Sequence, residues 1–249
     1  MKQLRFVATT ALAVALAFVG AASAQTASKE TSKPAANAWM LTPTPYLEWN
    51  KDIPPAVRSQ RDAFWDEVTH REWPLTVRRD GAFGGGDRYD NGTEPEIPEV
   101  PNRVILTATF TASRSVLSAS EKSIYTEITM RVQDVFEDKS GSGHPISGHN
   151  ITLMLNGGTV ALGPGRILSD NIQPSELSLQ PERSYLLVLQ YHKEGDWYAL
   201  EEDWDVTDGV VRANTRWGQY LAKHGRSRLN GLTVQQLGAA LAKLLYGRQ

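Results

Sequence analysis

Apolar and polar residues alternate most regularly along SIYTEITMRVQDVFED, Ser123 to Asp138. Ile124, Thr126, Ile128, Met130 and Val132 fall on one face, and Tyr125, Glu127, Thr129, Arg131 and Gln133 on the other. A strand sends successive side chains to opposite faces, so this period of two predicts a β-strand with an apolar face and a wet face. The run exceeds the usual strand of about 5–6 residues. A strand this long has to coil or carry a bulge, expected near Asp134, with Phe136 returning to the apolar face.

The same reading finds partners for it. RVILTATFTA puts Val104, Leu106, Ala108 and Phe110 on one side. NITLMLN and TVAL, joined by Gly157-Gly158, predict a hairpin. SYLLVLQYH and WYALEE, joined by KEGD, predict another, and Asp208-Gly209 turns into VVR. The stretch GPGRILSDNIQPSELSLQPER reads as irregular. Seven or eight short strands with turn signals between them predict a mainly β (α+β) fold, an antiparallel β-barrel or sandwich.

Two segments follow a helical period instead. Val57, Phe64, Trp65 and Val68 share a face between about Pro55 and His70, with charges opposite and proline at the start. In LTVQQLGAALAKLLYG, residues Leu232, Leu237, Leu241, Leu244 and Leu245 gather on one face; Thr233 is the expected N-cap, with Gln236 three residues on.

The motifs Tyr125-Thr126-Glu127, Arg131-Val132, Val135, Gly157-Gly158, Tyr185-Leu186-Leu187-Val188-Leu189 and Asp208-Gly209 occur in this order between Val104 and Arg212. That succession resembles a secreted bacterial β-domain found mostly in uncharacterised proteins. Its order is also similar to netrin-like modules, which are OB-type barrels. The resemblance covers under half of the chain and implies a fold, not an activity. Netrin-like modules usually carry disulfides, whereas this chain has no cysteine, so their inhibitor or matrix-binding roles do not carry over.

The N-terminus adds a destination. Lys2 and Arg5 precede an apolar run from Phe6 to Val19, and Ala22-Ser23-Ala24 forms a small-x-small site. This predicts a secretory signal peptide over residues 1–24, cleavage before Gln25, and an exported protein, periplasmic or extracellular. The apolar run is shorter than the roughly 20 residues of a membrane span, and none follows in the mature chain. Residues 25–38 read as a flexible linker, 39–101 as a Trp/Pro-rich lead-in with one helix and a Gly-rich loop, 102–214 as the β domain, and 215–249 as a C-terminal helical segment.

Composition narrows the chemistry. Without cysteine there is no disulfide, thiol nucleophile or Cys-ligated zinc. Of 26 basic residues, losing Lys2 and Arg5 leaves 24 against 28 acidic ones, a net charge of −4 for the mature chain. Such a balance argues against nucleic acid as a partner. There is no G-x-S-x-G elbow and no H-E-x-x-H pair, so no catalytic residue, cofactor or metal is predicted. His144 and His149, five residues apart, would hold a metal only with a further ligand such as His192 or an Asp of EEDWD; their spacing matches no zinc signature, and they read as loop histidines. The Asp87–Glu94 loop fails as a helix-loop-helix calcium site, since Tyr89 and Pro98 stand at positions 3 and 12; Asp87, Asp90, Asn91 and Glu94 leave only a looser site. GAFGGGD is followed by neither Lys-Ser/Thr nor a helix and reads as a connector. Carboxylates at Glu201, Glu202, Asp203 and Asp205 would serve a glycosidase only at about 5–9 Å separation, which no sequence shows.

The tryptophans are the strongest lead. Four of the seven, Trp39, Trp49, Trp65 and Trp73, crowd into the lead-in. They either staple it to the barrel or, with Trp197 and Trp204, offer contact area to a partner. Trp39, Trp49, Trp73, Trp197 and Trp204 are the candidate binding residues, for an unknown protein, peptide or glycan. The expected function is a non-enzymatic binding or interaction module; the alternative is a secreted hydrolase with a dispersed active site.

Overall fold

A computed structural model describes residues 43–45, 53–71, 95–170 and 179–247, all within one unit, Pro34–Gln249. The order is β1 (Thr44–Pro45), α1 (Pro55–Arg71), β2 (Arg103–Leu117), β3 (Ile124–Asp138), β4 (Asn150–Asn156), β5 (Gly158–Gly163), β6 (Arg166–Asp170), β7 (Ser184–His192), β8 (Trp197–Asp205), β9 (Arg212–Ala213), α2 (Arg216–Lys223) and α3 (Val234–Tyr246). The fold is mainly β, as the alternation predicts. No helix among the described residues is long and apolar enough to cross a membrane.

The main sheet runs β4-β3-β2-β7-β8-β9. Its β2–β3, β3–β4, β2–β7 and β7–β8 pairs are antiparallel, and a parallel bridge at Leu153↔Tyr198 joins β4 to β8. The sheet therefore closes on itself. Inside lie Val104, Leu106, Ala108 and Phe110 of β2, Ile128, Met130 and Val132 of β3, and Tyr185, Leu187 and Leu189 of β7. These are the positions that strict alternation sends inward.

Bulges bend the long hairpin, and they rewrite part of the expected pattern. The β2–β3 register shifts between Ile105 and Leu106, between Thr107 and Ala108, and between Phe110 and Ala112. One shift skips Gln133, beside the expected position at Asp134; another skips Phe136. An extra residue flips the following side chains to the other face. Phe136 accordingly leaves the Ile128 face and packs outside with Ile105, Leu186, Val188 and Trp204. At the other end Ile124 belongs to a separate cluster with Leu117 and Val160. The wet face is also covered at one end, since Tyr125 and Glu127 are both buried.

Gly157-Gly158 does not close a hairpin. β5 pairs with β6 and, in parallel, with β1, making a second sheet ordered β1-β5-β6. Gly158 has φ +151°, and a β-carbon there would lie 2.7 Å from Thr126 Oγ1 and 2.8 Å from Ser115 Cβ. Only glycine lets the chain pass this close to the barrel as it leaves it. The stretch expected to be irregular supplies β6, which completes the β5–β6 ribbon.

At the C-terminus the leucine period holds. Leu237 and Leu241 of α3 are buried against Ile105, Leu186, Val188 and Trp204 on the outer face of the barrel, with Leu232, Leu244 and Leu245 partly buried beside them. Gln236 Oε1 accepts the Thr233 N–H at 3.0 Å, as the predicted capping box requires. Helix α2 opens the segment expected to be helical, as a separate helix ahead of the leucine-rich one. Thr215 caps it, its Oγ1 accepting the Gly218 N–H at 3.0 Å, and Trp217 and Leu221 are buried.

Candidate functional site

Of the candidate binding tryptophans, Trp39, Trp49 and Trp73 lie outside the described residues. Trp197 and Trp204 are 3% and 0% exposed, so both act in packing and neither presents a contact surface. Trp204 fills the cluster under α3. Trp197 stacks on His192 with ring centroids 4.0 Å apart and meets Phe64 and Trp65 of α1. Burial lowers the pKa of His192, and Glu194 partly offsets it. His144 and His149 are exposed on the connection between β3 and β4. No group of three or more His, Asp or Glu among the described residues is arranged to hold a metal ion. The Asp87–Glu94 loop and the GAFGGGD stretch lie outside the described residues.

Helix α1 docks through charge as much as through apolar surface. Arg58, Arg61, Asp62, Trp65 and Asp66 follow helical spacing, and this mixed stripe, not one of purely apolar residues, faces the barrel. Arg61 donates to Gly195 O (2.7 Å), Asp196 O (2.7 Å) and Glu127 Oε1 (2.9 Å). Glu127 also accepts from Arg114 Nε at 2.7 Å. Asp62 accepts from Tyr125 Oη (2.8 Å) and the Ala119 N–H (3.1 Å). Burial, with Asp62 and Glu127 nearby, pushes the Tyr125 phenol far up, so it stays a hydrogen-bond donor. Asp66 accepts from Ser118 (2.7 Å), Ser123 (2.8 Å) and Ser120. Burial would raise Asp66, but these hydroxyls outweigh it and hold the carboxyl below its usual value. Arg61, Asp62 and Asp66 each meet several specific partners on the barrel, which marks a fixed joint, although the buried Trp65 Nε1 has none.

A second polar feature lies in the barrel wall. The register shift between Val188 and Leu189 turns Asp203 of β8 opposite Leu187, an interior residue. Asp203 is 1% exposed. Asn214 donates to its Oδ2, while Oδ1 has no hydrogen-bond partner. Burial, reinforced by Asp205 and only partly offset by Asn214, pushes its pKa up to about 7. Next to it, Thr215 donates to Glu202 Oε1 while capping α2. Asp203 has the perturbed titration that marks many catalytic acids. It lies across the strand pair from the interior residue Leu187, and the one described group that bonds it is the Asn214 amide.

The third feature is the β5–β6 ribbon. Its root is anchored, with Val160 buried against Leu117 and Ile124 and Leu162 packed alongside. On the far side of β5, Thr44 Oγ1 of β1 accepts the Ser115 N–H at 3.0 Å. The turn at Pro164-Gly165 uses a positive φ of 72° at Gly165. β6 then returns with Leu168 opposite Val160 and Ile167 opposite Ala161. Ile167 is 57% and Leu168 40% exposed, and they point to opposite faces of the strand. Among the described residues β6 pairs with β5 alone. An edge with unpaired N–H and C=O groups and exposed β-branched and aliphatic side chains is a template for another strand. The RILSD pentapeptide carries the sequence signal for this site, but the surrounding Gly, Pro and Ser mask it as loop.

No protein-family model matches the chain, and no curated protein sequence matches it.

Proposed function

We propose that this chain is an exported, non-enzymatic binding or interaction module, an OB-type barrel whose contact surface is the β5–β6 ribbon. The observation that carries the reading is the exposure of Ile167 and Leu168 on a strand with one described neighbour. Exposed apolar side chains beside open backbone groups suit β-augmentation, in which main-chain bonds supply affinity and side-chain contacts supply specificity. The strand order β4-β3-β2-β7-β8 with its β4–β8 bridge supports the OB-type reading, since a five-stranded, partly open Greek-key barrel has this form. The basic and apolar pattern of residues 1–24 supports export. The partner is a polypeptide in extended form, one of the protein, peptide and glycan classes that the sequence leaves open.

A photo-crosslinking residue at position 167, in cells that make the full chain, tests this reading. Crosslinks to a polypeptide are expected at 167 and absent at the exposed Glu194 control; equal yields at both positions would refute it. The N-terminus of the recovered protein, read by mass spectrometry, is expected near Gln25. An intact Met1 would overturn the exported part of the proposal.

A further inference from the structure

The occupant of the β6 edge can be named from the strand itself. We infer that β6 pairs antiparallel with β6 of a second copy of this chain, centred on Leu168, so that two ribbons join across a two-fold axis. This rests on the ribbon's being the contact surface.

A two-fold interface brings the same patch from both subunits together, so the patch has to complement itself. The strand reads Arg166-Ile167-Leu168-Ser169-Asp170, with opposite formal charges at its ends. Antiparallel pairing about Leu168 sets position 166 of each copy against position 170 of the other, and 167 against 169. Opposite charges directly across a strand pair stabilise it, and like charges destabilise it. Centring the pair on Arg166 would oppose two arginines, and centring it on Ile167 would leave position 170 beyond the strand. Only the Leu168 centre satisfies both charges and sets Leu168 against Leu168. The backbone is complementary too, because each edge offers the same alternation of N–H and C=O groups. The product is one continuous sheet, β1-β5-β6 followed by its symmetry mate. A single five-residue strand pair falls well below the roughly 1,600 Å² of a standard interface. The dimer is therefore weak and concentration-dependent.

The absence of cysteine makes the test direct. Leu168→Cys introduces the only thiol, at the position where two identical residues meet. Directly opposed β-carbons in an antiparallel pair lie about 4.5–5.5 Å apart, close to disulfide reach. Mild oxidation of L168C at concentrations spanning a hundredfold is expected to give a covalent dimer, in yield severalfold above a Glu194→Cys control. Sedimentation of the unmodified protein is expected to show a concentration-dependent dimer. Arg166→Glu should weaken it at least severalfold, and Arg166→Glu with Asp170→Arg should restore it, a rescue that general surface stickiness would not give. The inference is overturned if the chain stays monomeric throughout and L168C crosslinks no better than the control. If the position 167 photo-crosslink carries a different polypeptide while sedimentation shows only monomer, the binding function stands and the second copy is the wrong partner. If neither experiment finds any contact at β6, both readings fail together.

Discussion

Replacing Asp203 by Asn should make the protein more stable at pH 8 and leave it nearly unchanged at pH 4. Asp203 sits in the barrel wall with Asn214 on Oδ2 and nothing on Oδ1. Its pKa rises from 3.8 to about 7, chiefly because burial penalises the charged form. In the unfolded chain the group ionises above about pH 4. Between about pH 4 and 7 the folded state therefore holds a proton that the unfolded state has lost. Stability then falls as pH rises, by up to about 1.4 kcal/mol per pH unit. Above pH 7 both states are ionised and the full penalty, about 4 kcal/mol over some three units, is in place. Asparagine has nearly the same shape, keeps an oxygen for Asn214 to donate to, and does not titrate. Other groups work in the opposite sense: Asp66 and Glu137 are held below their usual values, so their contribution is lost as pH falls. The useful quantity is thus the difference between wild type and D203N, in which these cancel. Urea unfolding followed by tryptophan fluorescence at pH 4, 5, 6, 7 and 8 supplies it. The difference should grow with pH and level off near pH 8. A difference that stays constant across the series would show that Asp203 does not titrate in this window, and the burial argument would be wrong.

Ile128→Ala should cost about 2–5 kcal/mol, because Ile128 is fully buried inside the barrel, whereas Thr129→Ala on the opposite face should cost under about 1 kcal/mol. Equal losses in denaturation would contradict the assigned register. Arg61→Ala removes one side of a buried ion pair and should cost about 3–5 kcal/mol, since Glu127 keeps only Arg114. Arg61→Met with Glu127→Gln should recover part of that loss; a double variant as unstable as R61A would mean that lost packing, not the stranded charge, dominates. Gly158→Ala should destabilise by more than about 1 kcal/mol, through both its φ of +151° and the approach to Ser115 and Thr126, and an unchanged melting temperature would rule out that close passage.

The strands that line the barrel were legible because each needs one face buried, and burial leaves a period of two in the residues. The C-terminal helix was legible for the same reason at a period of 3.6. Sequence reasoning went astray where something other than apolar burial chose the geometry. Apolar spacing gives Val57, Phe64, Trp65 and Val68 as the docking face of α1; Phe64 and Trp65 do pack on the barrel, but Arg58, Arg61, Asp62 and Asp66 reach it beside them. A charged stripe looks solvated until its partners are known, and those partners lie 52 or more residues away in sequence. Gly157-Gly158 looked like a two-residue hairpin turn because its length and composition fit one. The close contact with Ser115 and Thr126 shows why glycine is needed, and that contact is long-range. Thr215, Trp217 and Leu221 did carry an N-cap and an i, i+4 apolar pair for α2, a signal too short to stand out beside the longer C-terminal helix. Asp203 was visible only as one carboxylate among four; its inward turn depends on a register shift in β7–β8 that composition does not encode.

The tryptophans that promised a binding surface, Trp197 and Trp204, are used up in packing, and the charges expected in water on α1 are used up in docking. Helix α3 covers the outer face at Ile105, Leu186, Val188 and Trp204, and the barrel interior is filled by its own aliphatic and tyrosine side chains. Each of these surfaces already has an occupant from within the chain. The β5–β6 ribbon differs in two properties suited to recruiting a partner: its root is fixed by Val160 and Leu162, while Ile167 and Leu168 stay exposed on a strand whose one described neighbour is β5. A rigid root limits the entropy lost on binding, and an open edge supplies directional bonds that an apolar patch alone lacks. Edge strands of soluble proteins are usually blunted by charge, proline or cover. β6 carries charge only at its two ends, where opposite signs favour an antiparallel copy and do not repel it. The proposed contact surface is thus the one that the rest of the described fold leaves uncovered.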